Sequence, residues 1–171
     1  MNGYEFYPED GSTLYEEEAW ELSEQARSLW LRLTFAGEYS EGMSPVQIQG
    51  RKYLPMFPAR DGVYTIEQVR EKFLAVFSEE FTDKTLNAAI ASKDLLEYNG
   101  NVYAAYRKNR GKTSYNSWAD HVRDDGNGKF TVVMGVSMPP DGSTVYVELP
   151  TEKNAAGKFV FTDYPYWDRS E

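Results

Sequence analysis

Cysteine is absent from this 171-residue chain, and histidine occurs once, at position 121. The first absence excludes a disulfide framework, a thiolate nucleophile and any cysteine-ligated zinc or iron–sulfur site. It is as compatible with a disulfide-free exported bacterial protein as with a cytosolic one. The second leaves a single imidazole, in the stretch WADHV, to serve as a catalytic base, and a lone strand histidine reads first as a surface or satisfied core residue. Apolar runs fall short of the roughly 20 residues a transmembrane helix needs, so no membrane insertion is expected. The opening MNGYEFYPEDG has neither the basic nor the apolar segment of a signal peptide, so an exported protein would be represented here by its mature form.

Positive charge is also scarce. Lys and Arg number 18 against 27 Asp and Glu, a net charge of -9, and the pI is about 4.7. Nucleic acid is not an expected partner, because phosphate binding needs a cationic surface that releases counterions. An acidic surface serves solubility, and it also steers a protein toward cationic partners. The one basic island, Arg107, Lys108, Arg110 and Lys112, is short and reads as a solvated loop.

Nucleotide and metal signatures are missing too. There is no Walker A run, no GxGxxG and no nucleophile elbow. The DDGNG stretch at Asp124 to Gly128 resembles a calcium loop, but Val132 stands where an EF-hand requires a glutamate, so it reads as a hairpin turn. No cofactor and no metal are expected. Asp120 and His121 are the only adjacent acid–base candidates, and strict strand alternation would send them to opposite faces.

What the chain does have is aromatic and apolar material for one core: 41% hydrophobic and 15% aromatic residues, with 13 Tyr, 9 Phe and 4 Trp. Residues 1–12 read as an extended N-terminal tail and 13–171 as a single α+β domain. Thr13 and Glu16 have capping-box spacing and open a helix to about Phe35, with Ala19, Leu22, Ala26, Leu29, Leu33 and Trp30 on its apolar face. Gly37 stops it. Val46 to Phe57 reads as one bent strand or two short ones, demoted to an edge or an irregular crossing by Pro55 and Pro58, since proline cannot donate to the ladder. Thr65 and Gln68 form a second capping box, so a helix begins at Ile66 and buries Val69, Phe73, Val76 and Phe77. Ser78 or Thr82 caps a third helix, with Phe81, Leu86, Ala89 and Ile90 inward.

The second half is strand after strand. Asn99-Gly100 joins two of them as a type I′ hairpin. Tyr115 to Val122 follows, then a turn at Asp124 to Gly128. Phe130, Val132, Met134, Val136 and Met138 alternate with period two, which predicts one buried face. A turn at Pro139 to Gly142 leads to Val145, Val147 and Leu149, then Phe159 and Phe161. The expected fold is α+β: N-terminal helices packed on a C-terminal antiparallel, twisted meander sheet of five or six strands.

Four pieces in order, GRKYLPM, TIEQVREKFLAVFSEEF, YNGNVYAA and GKFVFTDYP, resemble the IseA family of bacterial inhibitors of DL-endopeptidases. The shared pattern is a T-x-E-x-V helix closing on F-S-x-E-F, an N-G-x-x-Y hairpin and a final G-K-F-V-F strand. The resemblance spans roughly Leu14 to Tyr164. It implies a non-enzymatic, monomeric protein of the cell wall that binds the catalytic domain of an NlpC/P60 peptidoglycan hydrolase and blocks its groove with an acidic face and an exposed loop. Candidate partner-binding residues are Asn99, Gly100 and Asn101 at the hairpin tip, and Asp124, Asp125 and Asp141 at acidic turns. The alternatives are a lyase or isomerase with a pocket between sheet and helices, which would need a buried carboxylate, or a cell-envelope module that binds something else.

Overall fold

The computed structural model describes residues 11–34, 44–106, 116–138 and 142–164. The residues of the tail before Gly11, the Gly37 helix stop, the basic island and Asp141 lie outside these. The fold is α+β, as the periodicities predict. Helices α1 (Glu16–Thr34), α2 (Ile66–Leu74) and α3 (Glu79–Ala91) combine with strands β1 (Val46–Ile48), β2 (Arg51–Pro55), β3 (Leu95–Tyr98), β4 (Asn101–Ala105), β5 (Asn116–Gly126), β6 (Lys129–Met138), β7 (Ser143–Lys153) and β8 (Phe159–Phe161).

The strands form two four-stranded sheets rather than a single meander: one in the order β1-β2-β4-β3, the other β5-β6-β7-β8. All named pairs are antiparallel. The split follows from β2. It lies between β1 and β4, an interior strand rather than an edge. Pro55 is tolerated because it closes the strand, opposite Tyr103, where the ladder ends.

Helix α1 begins at Glu16, so Thr13 does not cap it; the Tyr15 carbonyl accepts the first helical bond, from Ala19, at 2.9 Å. Three glutamates in the first turn complement the dipole at that end. The α2 capping box is present as its sequence spacing requires: Gln68 N–H donates to Thr65 Oγ1 at 3.1 Å, and Thr65 N–H to Gln68 Oε1 at 3.2 Å. Ser78, not Thr82, caps α3, accepting from Phe81 N–H at 3.2 Å. Thr82 instead faces the core with Leu86 and Ala89, while Ile90 is turned outward.

The core gathers where α2, α3 and β8 meet. Phe77, between α2 and α3, bridges Phe161 of β8; Ser78 N–H donates to the Phe161 carbonyl and Phe161 N–H to that of Val76, both at 2.8 Å. Phe73, Phe77 and Phe161 are fully buried. The rings of Phe73, Phe77, Phe81, Tyr164 and Trp30 form a chain with centroids 4.7–6.2 Å apart, which ties α1 to this junction. Arg70 fastens α2 to α3 through a two-pronged pair with Asp83, at 2.8 and 3.3 Å. Its guanidinium hydrogen bond holds the Asp83 carboxyl below the usual range.

β6 departs from simple alternation. Residues 130–136 are buried on both faces. The outer face of Gly135 is covered by the Trp118 indole from β5, so close that a Cβ at 135 would stand 2.4 Å from the ring. The glycine is there to let the ring lie flat.

Candidate functional site

The β3–β4 hairpin turns tightly at the Asn-Gly pair that the sequence marks. Asn99 and Gly100 have φ of 48° and 75°, the paired left-handed conformations of a type I′ turn. Both are exposed, and Asn101 is half-buried, its Oδ1 accepting from Val102 N–H at 2.9 Å.

Two exposed tyrosines that the sequence reading did not single out stand on the two chain segments that meet at the base of this hairpin. Tyr98, the last residue of β3, is 47% exposed and Tyr64 is 42% exposed. Glu97 holds the arrangement together by accepting the N–H of Ile66, the first residue of α2, at 2.5 Å. That bond satisfies an orphan donor of the helix start and fixes the strand leading into the turn. Tyr64 is fixed as well: its hydroxyl donates to the Ala59 carbonyl at 3.0 Å and its N–H to Gln68 Oε1 at 2.7 Å. Beside the turn, Tyr98 therefore presents exposed aromatic surface on a pre-ordered backbone. Tyrosine loses little conformational freedom on contact and is enriched at the anchors of interfaces. The available signal was a tyrosine beside an Asn-Gly turn and another just before a capping threonine.

The acidic candidates sit elsewhere. Asp124 and Asp125 belong to β5 in the other sheet, and the turn itself is Asn127-Gly128, so neither occupies an apex. Asp124 Oδ1 accepts from Gly126 N–H at 2.9 Å. Asp125 accepts from Thr131 Oγ1 at 2.5 Å and from Arg123 Nε at 2.7 Å. The Thr131 hydroxyl first, and the Arg123 guanidinium second, hold its carboxyl below the usual range. Arg123 also pairs with Glu148 of β7, and its own pKa is raised. Asp125 is thus a member of a charge network laid across three strands rather than a free acidic tip. Asp141 lies outside the described residues.

Asp120 and His121 end up together, contrary to strict alternation. Asp120 is the extra residue of a bulge between Ala119 and His121. The bulge lets Asp120 Oδ2 meet His121 Nδ1 at 2.7 Å. It also puts His121 and Trp118 on one face, opposite Val133 and Gly135. The pair is open to solvent, with side chains 37% and 50% exposed.

A groove of about 520 Å³ runs between α1 and α2, with Glu24, Ser28 and Leu29 on one wall and Lys72 and Val76 on the other. It is open to solvent, and a carboxylate and an ammonium line it together with Leu29 and Val76. Asp83 and Asp125 are both shifted downward, the direction opposite to that a carboxylic acid catalyst needs. Among the described residues no three His, Asp or Glu side chains are placed to hold a metal ion, and no helix is long and apolar enough to cross a membrane.

No protein-family model matches this chain, and no curated protein matches it.

Proposed function

We propose that this protein is a binding protein of the bacterial cell wall that docks the catalytic domain of an NlpC/P60-type DL-endopeptidase and blocks its substrate groove. The observation that carries this reading is the β3–β4 tip: a type I′ turn with the exposed Tyr98 beside it, tied to the start of α2 through Glu97. A pre-ordered tip enters a groove with little entropy left to lose, and its tyrosine supplies one of the few contacts that dominate affinity. The net charge of -9 supports the same reading through steering toward a basic cleft. The family-like pattern supplies the identity of the partner, and the hairpin is one of its pieces.

The test is a titration of muropeptide hydrolysis by such a hydrolase with the full chain, at low and moderate salt. Stoichiometric inhibition that weakens with salt, and that Tyr98→Ala reduces without changing the melting temperature, supports the proposal. Undiminished hydrolysis across several hydrolases of this class sinks it and returns the chain to the readings of a pocket-bearing enzyme or another envelope-binding module.

A further inference from the structure

The free edge of β7 has a different character from the other sheet edges. β7 pairs with β6 along Ser143–Pro150 with no register shift, but β8 covers only Thr151–Lys153 on its other side. The stretch from Ser143 to Leu149 therefore presents one open ladder edge among the described residues. Its sequence, STVYVEL, is β-branched and aromatic, with one charge and neither proline nor glycine. Natural edges are protected by shortness, bulges or charge. β1, β3 and β8 are three or four residues long. β5 is long, but it carries two bulges and the charged run Arg123, Asp124 and Asp125. β7 has none of these devices. It also carries the exposed apolar pair Val145, 46% exposed, and Tyr146, 60% exposed, on its opposite faces.

We infer that this edge pairs with the same edge of a second copy of the chain, making a two-fold dimer through an antiparallel β7–β7 ladder. The free stretch of seven residues has its midpoint at Tyr146. Antiparallel pairing that uses the whole stretch sets Tyr146 against its own copy, Val145 against Val147, and Thr144 against Glu148. Each of these pairings is favourable or neutral: aromatic on aromatic, β-branched on β-branched, and a carboxylate opposite a hydroxyl. No like charges meet. Pro150 cannot donate to a new ladder, and its carbonyl already accepts from Thr162 N–H at 3.1 Å, so the register has a natural stop. The two sheets become one, and the inward-facing Val145, 46% exposed among the described residues, gains a neighbour. A strand pair buries less than the roughly 1,600 Å² of a standard interface, so the association depends on concentration in the accessible range.

The absence of cysteine gives a clean test. Tyr146→Cys and, as a control on the covered part of the same strand, Glu152→Cys are each placed under mild oxidation, and wild type is followed by sedimentation from low micromolar to near-millimolar concentration. A wild-type dimer that Tyr146→Lys abolishes, with Tyr146→Cys cross-linking much faster than Glu152→Cys, is the expected result. A chain that stays monomeric throughout, or equal cross-linking at both positions, overturns the dimer. So does a monomer whose 144–148 amides gain hydrogen-exchange protection only when a hydrolase domain is added, which would assign the edge to that partner. The folding of each variant is checked by its circular dichroism. None of these readouts depends on inhibition, so this dimer and the proposed function fail separately.

Discussion

The carboxylate of Glu97 accepts the backbone N–H of Ile66 at 2.5 Å, so the strand entering the β3–β4 turn and the first turn of α2 are held by one bond across 31 residues of chain. An acceptor at a helix N-terminus contributes about 1 kcal/mol. Glu97→Ala should lower stability by about that amount in a denaturant titration and, under the proposed function, weaken hydrolase inhibition by more than the stability loss explains, because the tip loses its order. Glu97→Gln keeps an acceptor and should recover most of both. If Glu97→Ala leaves inhibition untouched, the tip is not the contact.

Trp118 and Gly135 make a second close relationship. Gly135→Ala would put a Cβ about where the indole now lies, 2.4 Å from its nearest atoms. The ring must move off the strand, which should destabilise the fold by about 1–3 kcal/mol. Trp118→Ala removes the obstacle. The double variant should therefore cost less than the sum of the singles, a coupling that a double-mutant cycle in urea reads directly. Additivity would mean that the ring does not rest on Gly135 in solution.

The same two relationships show what a sequence reading can and cannot reach. The α2 capping box and the Asn99-Gly100 turn were legible, and the α3 cap was narrowed to Ser78 or Thr82, because each is a local agreement of residue type and backbone within a few positions. The α+β class followed from the change of apolar period along the chain. The division into two sheets was not legible. It depends on β2 finding β4 some 50 residues away, and the prolines near it carry the signature of an edge. Asp120 and His121 were misassigned to opposite faces because a bulge inserts one residue, and one residue is enough to invert a period-two pattern. Asp125 read as an acidic turn because Asp and Gly cluster there. Its role comes instead from Thr131 and Arg123, which only the β5–β6 register brings near. Tyr98 had one local sign, its place beside the Asn-Gly turn, but its 47% exposure depends on the tertiary packing around the hairpin.

The Asp125 network makes stability depend on pH in a defined direction. Its folded-state pKa lies below the ordinary 3.8, so the unfolded chain takes up the proton more readily. The stabilisation is therefore present above pH 3.8 and is lost as the pH falls through the lower folded value. Asp125→Asn should melt below wild type at pH 7, and the difference should shrink as the pH drops below 3.8. Thermal melts at a series of pH values check this. A difference that stays constant over that range would show that the carboxylate charge is not what holds Arg123 and Thr131.

Thr82 offers a prediction of the opposite sign. Its side chain is fully buried in α3, beside Leu86 and Ala89, and its Oγ1 has no hydrogen-bond partner among the described residues. The position looks like a cap in the sequence, but Ser78 takes that role, and the hydroxyl is left in the core. A buried hydroxyl without a partner carries a desolvation cost of about 1–3 kcal/mol. Valine has the same branched shape, keeps the methyl that already packs there, and replaces the hydroxyl with a second one. Thr82→Val should therefore raise stability, by about 1 kcal/mol once the poorer helix fit of valine is allowed for, and raise the midpoint of urea unfolding with an unchanged slope. Thr82→Ser, which keeps the hydroxyl and deletes the methyl, should lower it. If valine destabilises, the hydroxyl has a partner in solution, and an ordered water at that point in the core would be the first thing to look for.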